Sequence, residues 1–257
     1  MNFVKPKKYL GQHFLTDKNV AKKITESLKP ITKNVLEIGP GTGILTSFLL
    51  KKKYNLILVE IDDESVAFLI NSLLVDEKII IKRDFLKLDL SAIFSGNNFS
   101  IIGNFPYNIS SQILFKIIEN KQLVSDMCGM FQLEVAKRIC EKPGTKVYGI
   151  LSVLTQAYFE TNFLFTVSKN LFYPAPNVES AVISLKRREN FYLKCNELLF
   201  FRVVKLSFQQ RRKKVRNSLK TLNLSNNLRE DAIFDKRPEQ LSVNDFIKLT
   251  CSIENDI

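Results

Sequence analysis

The stretch Val35-Leu36-Glu37-Ile38-Gly39-Pro40-Gly41-Thr42-Gly43 decides the fold. Val35–Ile38 reads as a buried strand, and three alternate glycines then break it into a tight turn ahead of a helical segment. Glycine tolerates positive φ and lets a ligand approach the backbone with no Cβ in the way. The spacing is G-x-G-x-G, not the G-x-G-x-x-G of dinucleotide enzymes, which favours a nucleoside ligand without a pyrophosphate. A helix beginning near Thr42 would offer free N–H groups and about half a positive charge to a carboxylate such as that of a methionine.

Outward from this loop, short apolar runs alternate with helix-type segments. Further candidate strands are Leu56–Glu60, Ile79–Lys82, Ser100–Gly103 and Met127–Phe131. Helical spacing appears in Asn19–Leu28, Ile44–Leu50, Asp63–Leu74 and Ser110–Glu119. The rhythm predicts an α/β fold with a Rossmann-like parallel sheet and helices on both faces. Phe163–Val167 and Ala181–Leu185, joined through the turn Tyr173-Pro174-Ala175-Pro176, read as an antiparallel pair closing one sheet edge. After about residue 188 the β signal ends, and Leu198–Leu206, Arg211–Leu222 and Val243–Cys251 read as short amphipathic helices. The expected organisation is a first domain over residues 1–188 and a small C-terminal helical domain over 189–257.

Three carboxyl or amide groups stand where such sheets bind ligands, beyond the strand C-termini. Glu60 ends the second strand and can accept from both ribose hydroxyls. Asp84, after the third, can accept from an adenine amine. Taken singly, these also fit solvated carboxylates beside an empty turn; their order favours a nucleoside cofactor. Asn104-Phe105-Pro106-Tyr107 follows the fourth strand. An adenine exocyclic amine is a poor nucleophile because its lone pair is delocalised into the ring. Two acceptors on its N–H bonds, the Asn104 side-chain carbonyl and the Phe105 main-chain carbonyl, favour pyramidal geometry and stabilise the charge that develops. Tyr107 can stack on a base drawn out of its own stack, with Phe172 on the opposite face.

The totals agree with such chemistry. Hydrophobic residues make up 45% of the 257, which excludes a disordered chain. No apolar run approaches the roughly 20 residues of a membrane span, and no signal or transit segment is read at the N-terminus, so a cytoplasmic location is expected. The four cysteines are scattered and there is one histidine, so neither a metal site nor a Ser/His triad is expected. The net charge of +12 is concentrated at the ends. Residues 1–33 hold eight lysines against Asp17 and Glu26, and residues 187–257 hold fifteen Lys or Arg against nine Asp or Glu. Two basic flanks around a neutral body suit a polyanionic partner.

Gly11-Gln12-His13-Phe14-Leu15, the EIGPGTG loop, the NFPY tetrapeptide and Phe172–Val182 (FYPAPNVESAV) together resemble the KsgA family of ribosomal RNA adenine dimethyltransferases. The resemblance extends to Tyr148–Val153, to Phe208–Leu219 (FQQRRKKVRNSL) and to Arg237–Ser242, and so covers nearly the whole chain. It implies a class I methyltransferase sheet and dimethylation of two adjacent adenines near the 3′ end of small-subunit ribosomal RNA. By the same resemblance His13, Leu15, Gly39, Glu60, Asp84 and Asn104 would contact S-adenosylmethionine, while Asn104, Phe105, Tyr107 and Phe172 would handle the base. The family pattern more often carries Asn where His13 stands. Arg211, Arg212, Lys213 and Arg216 would meet RNA phosphates, which positions RNA without reading its sequence. The implied partner is the small ribosomal subunit or its precursor, met by a monomer with a role in ribosome biogenesis.

The antibiotic-resistance methyltransferases of large-subunit RNA share the first three motifs, but the RRKKVRNSL and RPEQLS segments argue against that reading. A non-enzymatic nucleic-acid-binding factor is disfavoured by the intact glycine loop, Glu60 and Asn104. A nicotinamide-dependent dehydrogenase is disfavoured by the loop spacing.

Overall fold

The computed structural model describes residues 4–256. It divides into two compact units, Met1–Ala136 with Asn162–Arg187 and Lys137–Thr161 with Arg188–Ile257. The helical unit thus takes in residues 137–161 as well as the C-terminal stretch that the sequence reading sets apart at Arg188.

In chain order the elements are β1 (Phe14–Leu15), α1 (Lys18–Ser27), β2 (Asn34–Ile38), α2 (Thr46–Leu49), β3 (Asn55–Glu60), α3 (Asp63–Leu73) and β4 (Ile80–Lys82). Then come β5 (Phe99–Asn104), α4 (Ser110–Glu119), β6 (Val124–Gln132), α5 (Leu133–Cys140), α6 (Ile150–Tyr158) and β7 (Phe159–Val167). The remainder is β8 (Phe172–Tyr173), β9 (Ser180–Arg187), α7 (Glu197–Gln209), α8 (Val215–Ser218), α9 (Asn226–Arg229) and α10 (Val243–Asp256).

Seven strands form one mixed sheet in the order β4-β3-β2-β5-β6-β9-β7. The first five are parallel; β9 runs antiparallel to β6, with Gly129 opposite Ile183. The closing pair therefore enters with β9 inside and β7 at the edge. This is the strand arrangement that the sequence resemblance implies. Its central strands are buried on both faces, which is why β2 and β5 place apolar residues side by side, Val35-Leu36 and Ile101-Ile102, instead of alternating them. The order passes from β2 outward in both directions, so β2 and β5 flank the switch point where a crevice opens beyond their C-termini.

Local chemistry explains the helices around the sheet. The Asp17 carboxylate caps α1 by accepting from the Val20 N–H at 2.8 Å, and Ala21, Ile24 and Thr25 supply its buried stripe. Pro30 follows closely and stops it. In α4, Ile113, Leu114, Ile117 and Ile118 recur at helical spacing and are fully buried.

Two helical expectations need correction. The segment after the glycine loop does not become helical near Thr42; α2 begins at Thr46 and is only four residues long. Gly43 sits at φ 71°, which no right-handed helix admits, so residues 41–45 remain turns. A helix-terminus site for a carboxylate is thereby lost. Likewise Arg211–Leu222 is not one helix. Arg211–Lys214 form a turn closed by the Lys213 N–H on the Gln210 carbonyl at 2.7 Å, and only Val215–Ser218 are α-helical before a 3-10 turn at Lys220–Leu222.

In the helical unit α7 packs on α6, α8 and α10 through Phe200, Val203, Val204, Phe246, Leu249 and Ile253, all buried. The segments α5 and α6, unassigned in the sequence reading, are amphipathic and short. Among the described residues no helix is long and apolar enough to cross a membrane.

Candidate active site

A cleft opens over the C-terminal ends of β2, β3 and β5. Of the residues singled out from the sequence, His13, Gly39, Glu60, Asp84, Asn104, Phe105 and Tyr107 all line it. Asn104 is the last residue of β5. Its Nδ2 donates to the His13 carbonyl at 2.9 Å. A carbonyl only accepts, so the amide has one orientation there, with Oδ1 turned away from His13 and able to accept elsewhere.

The tetrapeptide is anchored from below by the Phe105 ring, which is 1% exposed. The ring lies over Gly103 and Gly129 and meets Phe131 edge-on at 5.0 Å between centroids. A Cβ on Gly129 would stand 2.1 Å from Phe105 Cε2, so glycine there is a packing requirement. The Phe105 N–H donates to the Met130 carbonyl at 3.3 Å. Tyr107 is held at two points: its hydroxyl hydrogen-bonds to the Ser180 hydroxyl, and one ring face stacks on His13 at 5.4 Å with 25° between planes. Burial raises the Tyr107 pKa, so the phenol stays neutral.

His13 Nδ1 lies 2.7 Å from the Pro174 carbonyl oxygen. A carbonyl only accepts, so Nδ1 carries a proton and donates it here. The bond to Asn104 uses the His13 main chain, so it does not depend on which side chain stands at this position.

Glu60, at the end of β3, is buried. Its Oε1 accepts from the Ile61 N–H at 2.9 Å and the Asp62 N–H at 3.0 Å, and its Oε2 from the Gly41 N–H at 3.0 Å. A carboxylate has about four acceptor positions; three are taken, which leaves one on Oε2. Burial raises its pKa, against those three N–H bonds. The carboxylate thereby ties the glycine loop to β3. Gly39 and Gly41 hold φ of 64° and 56°, and a Cβ on Gly41 would meet the Phe14 ring at 2.8 Å. Asp84 spends Oδ1 on the Leu86 N–H at 2.9 Å, capping a 3-10 turn, and its other oxygen has no hydrogen bond among the described residues. The cleft lining therefore combines two carboxylate acceptors, Glu60 and Asp84, with the bare backbone of Gly39 and Gly41, which fits a nucleoside carrying hydroxyls and an amine.

Two expected residues stand apart from the cleft lining. Leu15 and Phe172 are register partners across the two-stranded β1–β8 sheet and lie in the core at 2% and 5% exposure. The sequence reading turns Phe172 towards a base. Its ring packs instead in the hydrophobic cluster with Leu15, Ile24 and Val182, so it offers no stacking surface in this conformation.

The basic run is also divided. Arg211 Nη2 donates to the Thr145 carbonyl at 3.0 Å, and Arg216 pairs with Asp235 at 2.8 Å. Arg212 and Lys213 are exposed. Sequence reasoning missed Tyr9, Gln12 and Asn108, which also line the cleft. Gln12 lies inside the Gly11–Leu15 motif, which was the available signal.

The family model for ribosomal RNA adenine dimethylase matches residues 3–254. A ribosomal RNA small subunit methyltransferase A of Flavobacterium johnsoniae is 57% identical over 259 residues, covering 100% of this chain and 98% of the relative. One of Bacteroides thetaiotaomicron is 52% identical, covering 99% and 96%. Among solved structures, a dimethyladenosine transferase from Plasmodium falciparum superimposes with a TM-score of 0.81 at 25% identity, over 95% of this chain and 98% of that one. A match across essentially the whole length, on a sheet whose C-terminal crevice holds the diagnostic motifs, shows that this chain belongs to the ribosomal RNA adenine dimethylase family.

Proposed function

We propose that this protein dimethylates the exocyclic amines of two adjacent adenines near the 3′ end of small-subunit ribosomal RNA, with S-adenosylmethionine as donor. The observation that carries this reading is the Asn104 amide, whose donation to His13 leaves its carbonyl as an acceptor at the mouth of the cofactor cleft. When bound, the donor supplies a methyl group already activated on a sulfonium. The chain's own residues then have to position, not to activate.

Gly39 brings bare backbone to the donor. Glu60 accepts a ribose hydroxyl on the remaining Oε2 position, and Asp84 accepts from the adenine amine. His13 closes the cleft from the N-terminal side. Leu15 supports that wall from the core beneath it. Asn104 Oδ1 and the Phe105 carbonyl accept from the target amine, hold it pyramidal and stabilise the positive charge that appears on nitrogen. The base is extruded at a cost of a few kcal/mol, and stacking on Tyr107 returns about 1–3 kcal/mol. Tyr107 suits this because its hydroxyl and one face are already fixed, so little freedom is lost on binding. For Phe172 to cover the second face, its ring would have to turn out of the core when the base enters.

Arg211, Arg212, Lys213 and Arg216 in the helical unit contact RNA phosphates, with the exposed Arg212 and Lys213 foremost. The enzyme acts as a cytoplasmic monomer on the small subunit or its precursor during subunit biogenesis, since structured RNA is recognised by shape and unpaired bases. The test is transfer of labelled methyl groups to isolated small and large subunits that lack these modifications, followed by nucleoside analysis. Dimethyladenosine in the small subunit alone is expected. Label in the large subunit, or none in adenine, contradicts the proposal.

A further inference from the structure

The wall of the cleft formed by Tyr9–Phe14 is fastened at both ends, and one fastening plays no part in the chemistry above. At its C-terminal end Asn104 holds His13, and Phe14–Leu15 pair with β8. At its N-terminal end Lys7 Nζ forms an ion pair with Asp62 and lies 3.3 Å from Glu64. Gln12 Nε2 donates to the same Asp62 carboxylate at 3.0 Å. The Lys7 N–H in turn donates to Gln12 Oε1 at 2.8 Å, so Lys7 and Gln12 grip Asp62 as one unit.

Asp62 is built to be gripped. Its side chain is 0% exposed, against 23% for Lys7. Ser65 Oγ donates to Oδ2 at 3.0 Å and the Glu64 N–H to Oδ1 at 3.3 Å, so each carboxylate oxygen carries two donors. Removing one partner would leave a buried charge short of a donor, which is costly. Asp62 also sits two residues beyond Glu60 and donates its own N–H to Glu60 Oε1 at 3.0 Å. The fastening of the wall and the carboxylate assigned to the ribose therefore meet at one residue.

We infer that Lys7, Gln12 and Asp62 form a latch that holds segment 8–13 closed over the donor, which makes Lys7 and Asp62 positioning residues for cofactor binding. This rests on the cleft being the donor site. Neither residue touches the donor. Lys7 acts through Gln12 on the wall, and Asp62 acts both on the wall and on Glu60. A donor that binds the closed form must bear the cost of closing wherever the latch is absent, and its apparent affinity is its intrinsic affinity multiplied by the fraction of chains that remain closed.

Lys7→Met keeps the apolar stem and removes the charge. Asp62→Asn keeps the cap of α3, because Asn caps as well as Asp. Calorimetry with S-adenosylmethionine is expected to show Kd raised about tenfold in Lys7→Met. KM for the donor rises in parallel, with kcat lowered by about twofold or less. Hydrogen exchange at the amides of Leu10, Gly11 and Gln12 should be slowed by the donor in the wild type and much less in Lys7→Met, with recovery in Lys7→Arg. Wild-type binding with Kd in Lys7→Met unchanged and those amides still protected would overturn the latch alone. Failure of the wild type to bind the donor would overturn the reading of the cleft and the latch with it.

Discussion

The side-chain amide of Asn104 donates to the main-chain carbonyl of His13 across 2.9 Å, joining residues 91 positions apart in the chain. That bond does two things. It fixes which way the amide faces, and it makes the wall of the cleft part of the catalytic geometry. Asn104→Asp tests the first point: a carboxylate retains an acceptor for the amine but cannot donate to His13. It is expected to fold and to transfer methyl groups more slowly, with a weaker hold on the donor. Steady-state kinetics with varied donor should show kcat reduced and KM increased. Unchanged KM would mean that the bond does not hold the wall.

Beneath Asn104 the Phe105 ring occupies space that Gly129 leaves empty. In Gly129→Ala the added Cβ would lie 2.1 Å from Phe105 Cε2 and 3.0 Å from Met127 Sδ. Overpacking of this kind costs about 1–3 kcal/mol. Urea denaturation should show that loss, and activity should fall further than stability because the tetrapeptide moves with its anchor. Wild-type stability would mean that the ring shifts freely.

Glu37 lies under the glycine loop, 1% exposed, and accepts from Thr46 Oγ1 at 2.8 Å. Burial, reinforced by the nearby Glu60 charge and opposed by the Thr46 hydrogen bond, raises its pKa from 4.5 to about 8. Between those two values the folded chain keeps a proton that the unfolded chain has released. Stability from this group is therefore full below about pH 4.5, falls as pH rises towards 8, and levels off above. Glu37→Gln replaces the acid by a neutral isostere. Its melting temperature should decline less than that of the wild type between pH 5 and about 8. Parallel profiles would remove Glu37 as the source.

Glu60 tests the donor assignment. Its single remaining acceptor position predicts one ribose hydroxyl bond, so Glu60→Ala should weaken S-adenosylmethionine binding. The variant also frees the Gly41 N–H, so part of the effect comes from a loosened loop. A 2′-deoxy or 3′-deoxy donor analogue separates the two: only one of them should bind less well to the wild type. Equal losses from both would mean that Glu60 gives up a backbone bond to hold both hydroxyls.

In the helical unit, Arg212 and Lys213 have no ion pair or side-chain hydrogen bond among the described residues, unlike Arg211 and Arg216. Arg212→Glu with Lys213→Glu should leave the melting temperature near that of the wild type. Binding to small subunits should weaken, and its dependence on salt should fall by about one in slope for each phosphate that the variant no longer neutralises. An unaltered slope would make this turn a solvated surface.

The sheet and the cofactor crevice were legible because their signals are local. A continuous apolar strand followed by glycines carries its own meaning, as does an acid or amide at a strand's end. What could not be read depends on partners distant in the chain. Phe172 looks the same in sequence whether its ring faces a cleft or packs against Leu15, and only the β1–β8 pairing decides it. The Lys7–Asp62 pair spans 55 positions and leaves no periodic trace. The helix expected near Thr42 starts only at Thr46, because Gly43 adopts a positive φ that the helical spacing of Ile44–Leu50 does not reveal. The Arg211–Leu222 helix failed because a basic run has good helix propensity, whereas here the Val215 N–H is taken by the Lys236 carbonyl at 2.9 Å.

The central claim is that the Asn104 carbonyl prepares the target amine, and Asn104→Ala removes that carbonyl together with the bond to His13, whose loss alone Asn104→Asp reports. Single-turnover methyl transfer to small subunits should be followed beside calorimetric donor affinity on the same preparation. The account predicts a rate lowered by about 10²–10³-fold, the size seen when one oriented charge-stabilising group is removed, with donor Kd shifted far less. A variant that transfers methyl groups at close to the wild-type rate would contradict it.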